Sequence, residues 1–276
     1  MRVLTPRAVD GLDVGAIRRQ LVSEIVGTHV YIFADVESTN RVLRDLAEAG
    51  AHEGAVVLAE SQRAGRGRLD TTWFSPPGVN LYLSVLLRPA IVPAAAPIFS
   101  FIVSLALTEA IWALGVPASV KWPNDVMIAG RKVAGARLDL GIEGDRVTYV
   151  VAGVGVNVNI LREELEAGLG AAAGEATSLR EALGRAIDRN AFAASFLNLL
   201  EKWLGLYRTA GPEAILAAWR DRDMLTGRRV AVNDRDARVV GGVAGVDRCG
   251  LLLVDDDGGI RHRVVSGPVR LLEDAR

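Results

Sequence analysis

Cysteine is nearly missing from this chain: Cys249 is the only one in 276 residues. That excludes an internal disulfide and a cysteine metal cluster, and it fits a reducing compartment. Histidine is scarce too. His29, His52 and His262 are scattered without metal-ligand spacing, so no protein-held metal is expected. Net charge is close to zero, at -1. No global basic field draws the chain to nucleic acid or to an anionic membrane, and any anion site must be local. Phosphate signatures of the usual kind are missing: there is no GxxxxGKS/T loop and no strand-GxGxxG-helix unit. A serine nucleophile elbow is also missing. Residues 1–13 have no apolar stretch of secretory type. No internal repeat or low-complexity tract stands out.

One long apolar run, residues 98–116, approaches bilayer-spanning length. Pro97 opens it, Glu109 lies inside it and Gly115 sits where a helix C-cap would. A charge at mid-helix costs about 3 kcal/mol in lipid, so a buried core helix is expected. Half of the residues are hydrophobic and a quarter charged, as in a soluble globular protein. The length suits one large or two smaller domains.

Local patterns give the outline. A short helix is expected within 13–27 and a strand at 30–36. Val42, Leu43, Leu46 and Ala47 recur at helical spacing, with Ser38 or Thr39 as cap and Gly50 as stop. Strands are expected at 55–59 and 80–87. Short strands follow at 119–122, 126–128, 132–140 and 146–160, joined by tight turns, which makes an antiparallel meander. Residues 161–176 suggest a surface helix and loop. Helices are expected at 190–209 and 213–222. From 227 onward, short Val/Leu runs separated by Gly and Asp describe a small all-β module, with DDDGG (255–259) as a hairpin turn. The expected fold is α+β: a mainly antiparallel mixed sheet with helices on one face, plus a small C-terminal β-barrel. The expected divisions are a helical extension (1–27), a main domain (28–224) and the β module (225–276).

Four polar clusters could carry chemistry. Ser38-Thr39-Asn40 reads as a helix cap, but a helix N-terminus also offers free N–H groups to a ligand. SQRAGRGR (61–68) supplies the Gln62 amide and the Arg66 and Arg68 anion forks, or else is a solvated turn. In KWPND (121–125), Pro123 holds Trp122 extended and Asn124-Asp125 makes the turn; a plain hairpin fits equally. In GRKVAG (130–135), Lys132 begins a strand, where a solvated edge lysine is the alternative. GVGVN (153–157) lies within a strand, so its glycines mark a bulge, or failing that a close approach to the backbone.

Taken together and in order, ESTN (37–40), AESQRAGRGR (59–68), WFSPPGVNLYLSVLLRP (73–89), KWPNDV (121–126), GRKVAG and GVGVNVN (153–159) closely resemble the biotin protein ligases. The resemblance runs from about residue 32 to 159, and the β module fits the family's SH3-like C-terminal domain. GRGR with KWPND argues against a lipoate or octanoate ligase, and the near-neutral charge against a nucleic-acid binder.

The resemblance implies a class II synthetase-like catalytic domain. It implies a cytoplasmic enzyme that uses ATP, Mg²⁺ and biotin, makes biotinyl-5′-AMP and passes biotin to one lysine of a biotin carboxyl carrier protein. No tightly bound prosthetic group, nucleic acid or membrane is implied; a monomer or weak homodimer is. By that resemblance Lys132 contacts the biotin carboxylate and the phosphate. Arg66 and Arg68 belong to the loop over biotin and the adenylate. Ser38, Thr39, Asn40 and Gln62 match biotin-head and loop contacts, and Gly65, Gly67 and Gly135 allow close backbone approach. Trp73 matches an aromatic near adenine. Asn124 and Asn157 match nucleotide- or metal-side contacts, and Asp125 is a candidate to deprotonate the acceptor lysine. Two departures stand out. Leu69-Asp70-Thr71 replaces the Arg-Gly-Arg common in bacterial relatives, so the loop's third arginine is missing. Only about 30 residues precede the first core strand, too few for a helix-turn-helix plus wing, so DNA repression is not expected.

Overall fold

A computed structural model describes residues 11–234 and 237–272. The expected helical extension therefore lies partly outside the described residues, as do the last residues of the β module.

The larger sheet has seven strands: β1 (Val30–Phe33), β2 (Val56–Ala59), β3 (Leu81–Leu87), β4 (Ser119–Lys121), β5 (Asp125–Ile128), β6 (Arg131–Glu143) and β7 (Arg146–Val156). Their spatial order is β1-β2-β3-β7-β6-β5-β4. Only β1 and β2 pair in parallel; the other neighbours are antiparallel. The helices are α1 (Val14–Arg18), α2 (Thr39–Glu48), α3 (Pro97–Trp112), α4 (Arg162–Leu169), α5 (Leu179–Leu183), α6 (Arg189–Ala210) and α7 (Pro212–Arg220).

Every side chain of β3 is buried, because the sheet is covered on both faces. Leu81, Leu83, Val85 and Leu87 join the main core with α3 and α6. Leu86 turns the other way and meets Val57, Val151 and the Leu43 and Ala47 stripe of α2. This corrects the expectation of helices on one face only. Contiguous apolar strands are the signature of such two-sided burial. The apolar run becomes α3, most of it buried. Pro93–Trp112 is long and apolar enough to cross a membrane by composition, yet it is mostly buried within the protein. Its Glu109 accepts bonds from Lys202 Nζ (2.5 Å) and Trp203 Nε1 (2.9 Å) of α6.

Several elements are shorter than their apolar patterns suggest, and distant partners explain why. The N-terminal helix stops at Arg18. The N–H groups of residues 19–21 still close back on helix carbonyls, and the following ones go to α6 side chains: those of Val22 and Ser23 to Asn198, and those of Glu24, Ile25 and Val26 to Glu201. β1 ends at Phe33, and Val36 only bridges to Gln62. β7 ends at Val156, after which Asn157 N–H donates to Val133 and Asn159 N–H to Val79.

The C-terminal module is a five-stranded antiparallel sheet: β8 (Arg229–Asp234), β9 (Ala237–Val246), β10 (Leu252–Asp256), β11 (Arg261–Val264) and β12 (Val269–Leu271). Its order, β11-β10-β9-β8-β12, leaves β11 and β12 as edges, so the strand pairing describes an open sheet rather than the expected closed barrel. DDDGG is the β10–β11 turn: the Asp256 side chain accepts from the N–H groups of Gly258 and Ile260. The module shares the main core through Val230, Val243 and Val254. Trp122 Nε1 also reaches across to donate to Gly250 O at 2.8 Å.

Candidate active site

The N-terminus of α2, the segment after β2, the first half of β6 and the C-terminal end of β7 converge on a cavity of about 480 Å³. Ser38 is the α2 N-cap, but its side chain makes no capping bond, which leaves that hydroxyl for the cavity it lines. Thr39 and Asn40 are nearly fully buried, and burial demands partners for their polar atoms. Thr39 N–H and Oγ1 both donate to Gln62 Oε1 (3.0 and 3.2 Å). Ser84 Oγ lies 2.8 Å from Thr39 Oγ1 and donates to Asn40 Oδ1 at 2.6 Å. Asn40 Nδ2 donates to Asp139 Oδ2 at 2.9 Å.

This packing explains the glycines of β7. The ladder through Gly153 and Gly155 is in regular register on both sides, so no bulge is present there. A Cβ at Gly153 would overlap the Asn40 amide, and one at Gly155 would overlap the Trp73 indole. Close approach, the second of the two readings, is the correct one.

The cationic side of the cavity comes from β5, β6 and the loop 65–73. Lys132 Nζ is 2.6 Å from Asp125 Oδ1 and 5.3 Å from the centre of the Trp73 ring. Gly135 lies directly beneath this pair; a Cβ there would stand 3.1 Å from Lys132 Cε. Arg68 approaches Asn124 Oδ1 at 3.4 Å. Burial pulls the Arg68 pKa down, and the Asp125 carboxylate works against that fall. A guanidinium buried in this way favours an incoming anion, whose charge would add to that of Asp125. Asn124 Nδ2 is committed to Ala136 O (2.5 Å), so the KWPND turn is fixed to β6. The peptide bond before Pro123 is cis.

The loop is a small hairpin. Trp73 N–H returns to Gly65 O, Gly67 N–H to Thr71 O, and Arg66 bridges to Thr72. A single 3-10 turn, Arg68–Asp70, forms its tip. Leu69 and Asp70 both have positive φ (51° and 54°), a sparsely populated region for side-chain-bearing residues. Arg66 donates to Asp70 O at 3.0 Å.

Not every expected residue meets here. Gly65 lines neither described cavity; its lack of a Cβ makes room for Ser75 Oγ and Trp73 O within the loop base. Asn157 faces an adjoining cavity of about 860 Å³, which runs from Lys132 past Phe74 and Leu169 to the C-terminal sheet. Its Nδ2 donates to Thr177 O, so it also fixes the segment before α5. Ser84, Arg137 and Asp139 escaped the sequence reading. Gly135, Arg137 and Asp139 share one face of β6, whereas Ala134 and Ala136 join the main core opposite. Counting by twos from Gly135 would have found the pair.

The buried polar floor and the cationic rim together define a site for a ligand with a polar head and an anionic end. A model of the biotin/lipoate A/B protein ligase family matches residues 32–157. The bifunctional ligase/repressor BirA of Bacillus subtilis is 32% identical to the chain, covering 94% of it and 79% of the relative. The biotin–acetyl-CoA-carboxylase ligase of Mycobacterium tuberculosis is 35% identical over 92% of this chain and 93% of its own. A solved biotin protein ligase from Aquifex aeolicus, in complex with biotin and ATP, has the same fold. Its TM-score is 0.74 at 24% identity, covering 90% of this chain and all of that one. The chain belongs to the biotin/lipoate A/B protein ligase family, enzymes of the ligase class. Within that family it stands among the biotin protein ligases.

Proposed function

We propose that this protein joins biotin to ATP as biotinyl-5′-AMP and then passes the biotinyl group to one lysine of a biotin carboxyl carrier protein. The observation that carries the reading is the convergence on one cavity of a hydrogen-bonding floor (Thr39, Asn40, Gln62) and a cationic rim (Arg68, Lys132). A cyclic urea in an apolar bicycle needs a few aimed hydrogen bonds in an otherwise closed pocket. Its carboxylate must then approach an anionic phosphate, which costs repulsion unless cations neutralise both.

In the first step a biotin carboxylate oxygen attacks the α-phosphorus, and pyrophosphate leaves. Lys132 stands at the junction of the two cavities and neutralises the converging charges, with Asp125 fixing its position. Arg68 holds the phosphate in a planar fork, with Arg66 on the same loop. Trp73 and the adjoining cavity take the nucleotide base. In the second step the acceptor amine attacks the mixed-anhydride carbonyl, an amide forms and AMP leaves. Asp125 accepts the proton that the acceptor ammonium must lose. No three-ligand acidic or histidine cluster occurs among the described residues, so Mg²⁺ is read as arriving with the nucleotide. The C-terminal sheet is read as the family's SH3-like domain, and the protein as cytoplasmic.

The test is a biotin-transfer assay with a carrier-domain acceptor and Mg-ATP, wild type against Arg66→Ala and Lys132→Ala. Labelling of one acceptor lysine is expected, with both variants impaired. Absence of biotinyl-AMP from the wild-type reaction refutes the reading.

A further inference from the structure

Arg137 lies on β6 between the floor of the site and the loop 65–73, and its guanidinium touches both. Its Nε donates to Asp139 Oδ1 at 2.9 Å. Asp139 accepts from Asn40 on its other oxygen. Arg137 Nη1 donates to Gly67 O at 2.8 Å and pairs with Asp70 Oδ1 at 3.2 Å. A continuous run of hydrogen bonds thus leads from Ser84 and Asn40 through Asp139 and Arg137 to the loop tip.

We propose that Arg137 is a positioning residue that holds the Arg-Gly loop over the site by gripping Gly67 O and the Asp70 carboxylate, so that the loop is pre-ordered before ligand arrives. Three observations carry this. Two adjacent residues at the tip, Leu69 and Asp70, adopt positive φ, a conformation that persists only where surroundings enforce it. Apart from the 3.4 Å approach of Arg68 to Asn124, the loop's other tip contacts are internal to it: Thr71 Oγ1 to Arg68 O, Arg66 to Asp70 O, and Gly67 N–H to Thr71 O. Arg137 grips the tip from the sheet, its Nη1 donating to both acceptors at once. Asp70 is also where this chain departs from the Arg-Gly-Arg pattern, so an acid that binds the protein stands where relatives continue a basic run. The grip on Gly67 O matters more than the pair with Asp70, because the Asp70 side chain is 81% exposed and such pairs are weak.

The proposal rests on the ligase reading for its functional consequence but not for its structural one, and two measurements separate them. The first is limited trypsin digestion of the full, ligand-free chain, following cleavage after Arg66 and Arg68. Rates are normalised to those of the denatured variant, which removes sequence effects on the protease. When closing is fast, cleavage tracks the open population. Arg137→Ala should raise it about tenfold, as expected for loss of charge-assisted hydrogen bonds. Asp70→Ala should raise it about two- to fivefold, and Arg137→Lys should fall between wild type and Arg137→Ala. The second measurement is steady-state kinetics. Opening the loop reduces the closed, competent fraction, and KM for biotin scales as the inverse of that fraction, so it should rise by a smaller factor than cleavage while kcat changes less than about twofold. Unchanged cleavage in Arg137→Ala, or in Asp70→Ala should the first variant fail to fold, overturns the proposal. A fall in kcat without a change in KM overturns it too. Raised cleavage in a protein that forms no biotinyl-AMP would sink the ligase reading and leave the loop's tether standing.

Discussion

The two walls of the site are built differently. The floor, at the α2 N-terminus and β7, is rigid by construction: Thr39, Asn40 and Ser84 are 3%, 8% and 0% exposed, and each polar group has a protein partner. The loop is the opposite. Leu69 at its tip is 63% exposed, and the tip bends through two positive-φ residues held from outside by Arg137 and by the long Arg68–Asn124 contact. A floor of this kind recognises by shape and aimed hydrogen bonds at little ordering cost. A tethered loop can open for entry and close to exclude water from a hydrolysable anhydride. Variants in the two walls should therefore fail differently.

The largest effect is expected where the walls meet. Lys132→Ala removes the cation at the junction of both cavities and leaves Asp125 without its partner. Biotinyl-AMP synthesis should fall about a hundredfold or more, the scale of losing one preorganised electrostatic group. Single-turnover formation of biotinyl-AMP measures this, and thermal unfolding should show little change. A variant within a fewfold of wild type would place the chemistry elsewhere.

Next comes the floor. Gly153→Ala puts a methyl into the Asn40 amide, which is itself fixed by Ser84 and Asp139. Overpacking of this kind costs about 1–3 kcal/mol. A lower Tm and a KM for biotin raised about tenfold are expected together, because Asn40 must move. That joint response distinguishes floor from loop. Gly153→Ala with an unchanged Tm would show that the floor yields more easily than its hydrogen bonds imply.

How much of this was legible in sequence divides along the same line. Thr39, Asn40, Lys132 and the Arg-Gly loop were readable because each lies in a short local motif whose residue types serve one chemistry. Arg137 and Asp139 were not, because a charged residue within an apolar alternation reads as a solvent-facing position. Only the loop folding back onto β6 makes it a contact. Two-sided burial of the sheet was hidden for a related reason. Continuous apolar runs such as residues 56–59 and 81–87 do not say which helix covers which face. The early stop of α1 depends on Asn198 and Glu201, more than 170 residues away, and no local pattern encodes that.

A smaller effect is expected from the loop tip alone. Asp70→Gly with Thr71→Arg removes a strained non-glycine position and restores a third arginine. Charge then moves from a protein–protein pair to the ligand. Release of biotinyl-AMP should slow by up to about fivefold, with Tm unchanged, as befits an exposed group. Stopped-flow dissociation measures it. An unchanged release rate would mean that the missing arginine does not set retention.

The smallest effect sharpens the contrast by a third case, a partly exposed segment that is fixed rather than hinged. Glu201 accepts the N–H groups of Glu24, Ile25 and Val26. Burial by itself would raise its pKa, but these three bonds and Arg208 outweigh that and hold it below the ordinary glutamate range. A depressed carboxylate contributes stability that is present above the unfolded value and lost as pH falls through the folded one. Glu201→Gln should therefore lower stability by about 1 kcal/mol near neutrality. The gap from wild type should close as pH drops below the ordinary glutamate range. Paired thermal melts across that range measure it, and biotin KM should stay unchanged throughout. A gap that persists at low pH would show that geometry rather than charge holds this segment.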